Sequence, residues 1–194
     1  MKILLIDNYD SFTYNLAHIL RGLNVQFDVI RNDKIRIEDV SLYDGIIYSP
    51  GPGIPSEAGQ MKEIIKTYAG NIPMLGICLG HQAIGEYLGS RLVNRKKVLH
   101  GVKTNIKRTR SDDVLLNGLS DQLDVGRYHS WEIDPDSKTE GYVVTAVDDE
   151  GAIMAIESED KMLFGMQFHP ESIMTEKGPQ MIINFLELCK PVLV

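Results

Sequence analysis

A cysteine flanked by glycines is the part of the sequence best suited to chemistry. Residues 76–80 read Gly-Ile-Cys-Leu-Gly, between an apolar segment at 73–77 and a segment with helical spacing at 79–88. This G-x-C-x-G pattern is typical of a nucleophile elbow, a sharp strand-to-helix turn that needs glycines on both sides of the nucleophile. The helix N-terminus favours a thiolate, and the backbone N–H of Leu79 can stabilise an oxyanion. We therefore predict that Cys78 is a nucleophile and that Cys189, on an apolar helix face, belongs to the core.

A nucleophilic cysteine needs a base, and His169 is the best of the five histidines. It follows the apolar segment 162–168 and precedes Pro170 and Glu171. Glu171 can hold one imidazole nitrogen and so fix the tautomer that turns the other nitrogen towards Cys78. A His-x-Glu sequence alone is a weak signal, but beside a cysteine elbow it predicts a triad. For His81 we predict a packing role with a satisfied hydrogen bond.

A rigid loop follows a third apolar segment. Residues 49–53 read Ser-Pro-Gly-Pro-Gly, in which glycines allow close backbone approach and prolines stiffen the chain. Backbone N–H groups of such a loop can bind a carbonyl oxygen or an anion. The loop lacks the Gly-Lys-Ser/Thr ending of a phosphate-binding loop. From the residues alone, ligand contact and an ordinary tight turn both remain open.

The elements around these residues indicate an α/β fold. Apolar segments at 3–6, 25–30, 45–49 and 73–77 alternate with helical patterns, which predicts a parallel sheet covered by helices on both faces. Asp10-Ser11 is expected to cap the first helix. The second half differs, because its apolar segments follow one another without helices until the last helix, which predicts antiparallel pairing. These segments are 103–107, 125–129, 142–147, 153–157 and 162–168.

Composition excludes several classes of protein. The chain has 194 residues and a formal net charge of −7, which does not favour nucleic-acid binding. No apolar run approaches the ~18 residues that cross a bilayer. Two cysteines do not make a disulfide framework, and the first residues read as a strand rather than a signal peptide. We therefore expect one domain over 1–194, in the cytoplasm, with no nucleic-acid or membrane partner.

Together the motifs resemble a known family, the class I (triad-type) glutamine amidotransferases. The likeness rests on Ser-Pro-Gly-Pro-Gly at 49–53, Gly-Ile-Cys-Leu-Gly-His-Gln at 76–82, Arg-Tyr-His-Ser at 127–130 and Gln-Phe-His-Pro-Glu-Ser at 167–172. A further segment, 7–15, looks like the start of the subunits that serve chorismate-using enzymes. The resemblance implies a flavodoxin-like three-layer fold with a mostly parallel central sheet and a smaller antiparallel section in the second half.

The resemblance also implies a role for each motif. Cys78 would attack the side-chain amide of L-glutamine, His169 would protonate the departing ammonia, and Glu171 would orient His169. The oxyanion site would comprise Leu79 and the loop residues Gly51, Pro52 and Gly53. The α-amino and α-carboxylate groups of glutamine would be bound by Gln82, His129 and Ser130. No metal or organic cofactor is implied for this subunit, and Mg²⁺ is expected on the partner synthase.

The choice of partner stays open. Component I of anthranilate synthase would mean tryptophan biosynthesis, component I of aminodeoxychorismate synthase would mean folate biosynthesis, and one subunit can serve both. We favour anthranilate synthase. A cysteine hydrolase or peptidase would keep the elbow but would not need the motifs at Gln82 and 127–130. A non-catalytic subunit would not need Cys78, His169 and Glu171 together.

Overall fold

The computed structural model describes residues 1–95 and 98–190. Within them the chain forms eleven strands and four α-helices. The strands are β1 (Lys2–Asp7), β2 (Gln26–Arg31), β3 (Gly45–Tyr48), β4 (Met74–Ile77), β5 (Leu92–Asn94), β6 (Val102–Arg108), β7 (Gln122–Arg127), β8 (Trp131–Ile133), β9 (Val143–Asp148), β10 (Ile153–Ser158) and β11 (Leu163–Met166). The helices are α1 (Thr13–Gly22), α2 (Met61–Tyr68), α3 (Leu79–Tyr87) and α4 (Gly178–Leu188).

Nine strands form one continuous sheet in the order β2-β1-β3-β4-β11-β10-β9-β6-β7. The first five are parallel, and the rest continue the sheet in antiparallel pairs. The predicted α/β class, with a parallel first half and antiparallel pairing in the second half, is confirmed. The antiparallel strands extend the main sheet, and β5 and β8 form a separate antiparallel pair.

Both faces of the sheet are buried, because side chains of β1 alternate between two hydrophobic cores. Ile3 and Leu5 pack in one core with α1 and α4, whereas Leu4 and Ile6 pack in the other with α2 and α3. All four side chains of β1 named here are fully buried. This arrangement gives the three layers that the sequence predicted, and it aligns the carboxyl ends of β1, β3, β4 and β11 at one edge.

The structure corrects several boundaries. Helix α1 begins at Thr13, and the residue before it, Phe12, makes no side-chain cap. Asp10 instead accepts the N–H of Phe12 at 2.8 Å, so the predicted cap lies one turn earlier. The strand predicted at 125–129 is Gln122–Arg127, and the short pair β5 and β8 was not predicted. None of the helices in the described part of the chain is both long and apolar enough to cross a membrane.

Candidate active site

Cys78 lies at the sharp turn between β4 and α3. Its φ of +52° is a left-handed conformation that a non-glycine residue adopts only under strain. A Cβ added at Gly76 would lie 2.3 Å from the backbone of Gly80, and one added at Gly80 would lie 2.6 Å from Cβ of Tyr48. Both flanking glycines are therefore required by close backbone approach. The turn directs the nucleophile position to the carboxyl ends of the parallel strands.

His169 and Glu171 lie in the turn that follows β11. Nδ1 of His169 is 2.7 Å from Oε1 of Glu171, and both side chains are buried. A carboxylate only accepts hydrogen bonds, so Nδ1 carries a proton. The turn is tied to β7, because the N–H of His169 donates to the carbonyl of Gly126, and because Oγ1 of Thr175, which accepts the N–H of Gly126, donates to the carbonyl of His169. The imidazole is therefore held by the fold and not by Glu171 alone.

The environment keeps the His169 imidazole protonated. Burial alone lowers the pKa of His169, but the neighbouring Cys78 and Glu171 outweigh burial and raise it to about 10. Nε2 has no hydrogen-bond partner of good geometry among residues 1–95 and 98–190. A protonated imidazole beside a sulphur atom can donate its proton to a leaving group.

Two aromatic rings surround the His169 imidazole, and sequence reasoning did not find them. The ring centroids of Phe12 and Tyr128 lie 5.1 and 4.9 Å from that of His169, with tilted, edge-like geometry. The same two rings contact each other at 5.0 Å. Phe12, Tyr128 and His169 come from distant parts of the chain, so no local sequence pattern predicts that their rings are in contact. They cover the imidazole with apolar surface and limit the access of water.

A cleft of about 170 Å³ opens beside Cys78 and is called the Cys78 cleft here. It brings together most of the predicted site residues: Gly51, Pro52, Gly53, Cys78, Gln82, His129 and Ser130. It is also lined by residues for which no role was predicted: Val98, Leu99, His100, Tyr128 and Trp131. Leu79 is buried beneath it, where a Cβ added at Gly51 would lie 2.7 Å from Cδ2 of Leu79.

A second depression adjoins the cleft and is called the Phe12 groove here. It has a volume of about 510 Å³, and Phe12, Glu171, Ser172 and Ile173 are among its lining residues. Tyr128 lines both the groove and the Cys78 cleft. The Glu171 side chain is fully buried, so this residue meets the groove through its backbone, and Tyr128 borders both spaces.

The segment after β1 holds the glycine-proline loop in place. Asn8 is buried, and its Nδ2 donates to the carbonyl of Ser49 at 2.7 Å while its N–H donates to Oγ of Ser49 at 2.9 Å. Gly51 packs so closely against this segment that an added Cβ would lie 2.6 Å from Cβ of Asn8. Gly53 has a φ of +73°, which favours glycine. The loop backbone is therefore rigidly positioned at the rim of the cleft.

The His129 ring is fixed by the protein at both nitrogens. Nε of Arg127 donates to Nε2 of His129 at 3.0 Å, so Nδ1 carries the proton and donates to the carbonyl of Trp131 at 2.9 Å. Burial, and then the charge of Arg127, lower the pKa of His129 to about 3, so the ring is neutral. Arg127 in turn forms buried ion pairs with Asp148 and Glu132. The ring therefore shapes the 128–131 segment, whose surface lines the cleft.

His81 corrects a prediction. It is fully buried in α3, and neither ring nitrogen has a hydrogen-bond partner of good geometry in the described part of the chain, whereas a satisfied hydrogen bond was predicted. A Cβ added at Gly165 of β11 would lie 2.6 Å from Nδ1 of His81, so the ring packs directly on the strand. Burial lowers the pKa of His81 to about 3, which keeps it neutral.

The fold and the site together define a class: an α/β protein with a cysteine elbow, and a buried histidine-glutamate pair, at the carboxyl edge of a parallel sheet. The family model for class I glutamine amidotransferases matches residues 4–189, and the chain belongs to that family. The resemblance predicted from the motifs is therefore confirmed.

Named relatives agree with this assignment. The chain is 44% identical over 187 residues to "Aminodeoxychorismate/anthranilate synthase component 2" of Bacillus subtilis, covering 95% of each chain. It is also 44% identical to "Aminodeoxychorismate synthase component 2" of Escherichia coli, over 95% of this chain and 98% of that one. "Anthranilate synthase component 2" of Lactococcus lactis is 44% identical, over 95% of this chain and 93% of that one.

The fold is also found in solved structures. A glutamine amidotransferase from Thermotoga maritima superposes with a TM-score of 0.79, at 16% identity, over 98% of this chain and 99% of that one. At this identity the likeness concerns the fold alone.

Proposed function

We propose that this chain hydrolyses L-glutamine to glutamate and ammonia and supplies the ammonia to a separate chorismate-using synthase subunit. The observation that carries the proposal is the meeting of Cys78, the glycine-proline loop and Gln82 in one cleft, with the His169–Glu171 pair behind it. Membership of the glutamine amidotransferase family supports glutamine as the substrate.

The chemistry follows from the positions of the groups. The Cys78 thiolate attacks the side-chain amide carbon of glutamine, and the C–N bond breaks as His169 gives its proton to the departing ammonia. The product is a γ-glutamyl thioester. His169, now neutral, takes a proton from water, whose oxygen adds to the thioester carbon. The C–S bond then breaks, which restores the thiolate beside a protonated His169 and releases glutamate, whose new carboxyl group loses its remaining proton to water.

The negative charge that develops on the amide oxygen needs donors. The proposed donors are the backbone N–H groups of Gly51 and Gly53, since Pro52 has none, and that of Leu79, which lies at the first position of α3. The rigidity of the glycine-proline loop favours this role, because donors that are aligned before the reaction need no reorganisation in the transition state. The bonds from Asn8 to Ser49 provide that rigidity.

The α-groups of glutamine would bind at the opposite side of the cleft. Nε2 of Gln82 donates hydrogen bonds to the carbonyl of Trp131 at 2.7 Å and to Oε1 of Gln167 at 3.2 Å. In the described part of the chain no donor reaches Oε1 of Gln82, so we assign it to the α-ammonium group. The 129–130 segment would bind the α-carboxylate through its backbone and the Ser130 hydroxyl, because the His129 ring nitrogens are already bonded.

We propose anthranilate synthase as the partner, with aminodeoxychorismate synthase, or both, as the alternative. The relatives carry both names at the same identity, so identity does not favour either. In either case the chain serves a component I subunit. Free ammonia is protonated in water near neutral pH, so delivery through a protein contact preserves the nucleophile. We therefore expect the isolated chain to be a poor glutaminase and the complex a good one.

The face around the Phe12 groove is the proposed contact with that subunit. Tyr14 is 69% exposed, and Ile173, which lines the groove, is 95% exposed. The groove itself brings together the apolar side chains of Phe12, Tyr128 and Ile173, and a contiguous apolar region of this kind marks a protein contact surface. The groove also adjoins Glu171 and Tyr128, so a partner seated there would lie directly beside the proposed source of ammonia.

The test is co-expression with each candidate synthase, with glutamine and chorismate supplied. Glutamine-dependent anthranilate formation would support the tryptophan assignment. Product with the aminodeoxychorismate partner alone would transfer the protein to folate synthesis and leave the mechanism intact. A peptidase would instead release acyl products from peptides without either partner.

A further inference from the structure

A buried glutamine reaches the sulphur atom of Cys78. Gln167 follows β11, lies two residues before His169, and is fully buried. Its Nε2 is 3.7 Å from Sγ of Cys78, within the range of an N–H donor to sulphur. Its backbone N–H donates to the carbonyl of Met154 at 2.9 Å, which anchors the residue on the neighbouring strand. The mechanism described above does not use this amide.

The orientation of the Gln167 amide is fixed by a chain of hydrogen bonds. A backbone carbonyl only accepts, so the carbonyl of Trp131 binds the NH₂ group of Gln82, at 2.7 Å. The same NH₂ group donates to Oε1 of Gln167 at 3.2 Å. With its oxygen committed to Gln82, Gln167 must present its own NH₂ group to the sulphur. A thiolate is an acceptor, so the direction of every bond in the chain is consistent.

Burial explains why the sulphur needs such a donor. Cys78 is only 5% exposed, so water provides little solvation for a thiolate there. A buried charge is stable only when hydrogen bonds or an opposite charge replace that solvation. His169 supplies the opposite charge but loses its proton when ammonia departs. An amide does not titrate, so its N–H remains a donor throughout the cycle.

We propose that Gln167 is a further catalytic residue, which donates a hydrogen bond from Nε2 to Sγ of Cys78 and stabilises the thiolate. The donor acts twice: it favours the thiolate before attack, and it stabilises the same thiolate as the leaving group when the thioester is hydrolysed. The proposal rests on the proposed function, because it requires Cys78 to be the nucleophile.

The experiment is the pH dependence of alkylation of Cys78 by iodoacetamide in the full-length chain, followed at Cys78 by peptide mass spectrometry. Gln167→Met replaces the amide with an unbranched apolar side chain of similar length, and Gln167→Leu is a second variant of different shape. The matched control is Gln180→Met, because Gln180 is exposed on α4 and, among the residues that the structure describes, its side chain bonds within that helix, to Asn184. Circular dichroism and thermal melting verify that each variant folds.

We expect alkylation at pH 7 to slow about ten-fold in Gln167→Met and Gln167→Leu, with the midpoint of the profile about one pH unit higher, because a hydrogen bond to a charged group is lost. Gln180→Met should match the wild type. If the folded Gln167 variants kept the wild-type profile, the proposal would be overturned while Cys78 remained the nucleophile. If wild-type Cys78 itself did not react, the proposal and the proposed function would both fail.

Discussion

At the residue scale, the protonated state of His169 depends on its two neighbours. The pKa of His169 is raised to about 10 because Cys78 and Glu171 outweigh the effect of burial. A histidine whose folded pKa exceeds its ordinary value of about 6.5 contributes stability that is full below that value and is lost as pH rises through the folded pKa. The relevant window therefore runs from about pH 6.5 to about pH 10.

We predict that the wild type loses free energy of unfolding relative to His169→Gln as the pH rises through this window. Glutamine cannot titrate, so the variant lacks the proton linkage of the imidazole. Urea denaturation of both proteins at intervals between pH 6 and pH 10 measures the difference. A difference that stays constant over the whole range would show that the His169 pKa is not raised by folding.

The sequence predicts the proposed catalytic residues better than the residues that surround them in the fold. Cys78, His169 and Glu171 stand in short local patterns, and each pattern is itself a chemical argument. Phe12, Tyr128 and Gln167 lie within the quoted motifs, but no role was predicted for them, because their contacts join distant positions: Gln167 meets Cys78 across 89 residues. Only the fold of the whole sheet brings such pairs together.

At the element scale, the turn between β4 and α3 depends on the two glycines that flank Cys78, Gly76 and Gly80. We predict that Gly80→Ala lowers the free energy of unfolding by about 1–3 kcal/mol through overpacking, because the new Cβ would lie 2.6 Å from Cβ of Tyr48. The control is Gly22→Ala in the last position of α1, where nothing lies within 4 Å of the added carbon. Urea denaturation compares them, and equal stability of the two variants would contradict the argument.

The end of β7 carries a second element-scale prediction. Arg127 is 2% exposed and pairs with the buried carboxylate of Asp148, so Arg127→Met leaves that charge uncompensated. We expect a loss of about 3–5 kcal/mol in the free energy of unfolding. The double variant Arg127→Met/Asp148→Asn should be more stable than the sum of the two single changes, because it removes both charges. Strict additivity in urea denaturation would argue against the pairing.

Elements with a clear apolar pattern in the sequence were predictable, whereas the shortest strands were not. The strand at 3–6 follows from an uninterrupted apolar run, and α2 follows from the helical spacing of Met61, Ile64 and Ile65 in the sequence. The pair β5 and β8 has three residues in each strand, too few for a period to emerge. The position of β11 between β4 and β10 is a matter of topology, which local patterns do not encode.

At the scale of the whole molecule, the exposed apolar side chains beside the Phe12 groove should matter only in the complex. We predict that Ile173→Asp reduces glutamine-dependent product formation by the synthase without changing the stability of the isolated chain, because Ile173 is 95% exposed. The control is Leu42→Asp, which is 71% exposed and precedes β3, at the opposite edge of the sheet from Cys78. Full activity of the Ile173→Asp complex would place the partner on another face.

The measurement that tests the central claim most directly is product formation by the complex of this chain with its chorismate-using partner, with either glutamine or ammonium salts as the nitrogen source. We predict that Cys78→Ser abolishes the glutamine-dependent reaction and leaves the ammonium-dependent reaction intact, because the partner then receives ammonia without hydrolysis. Retention of glutamine-dependent product by Cys78→Ser would contradict the assignment of Cys78 as the nucleophile.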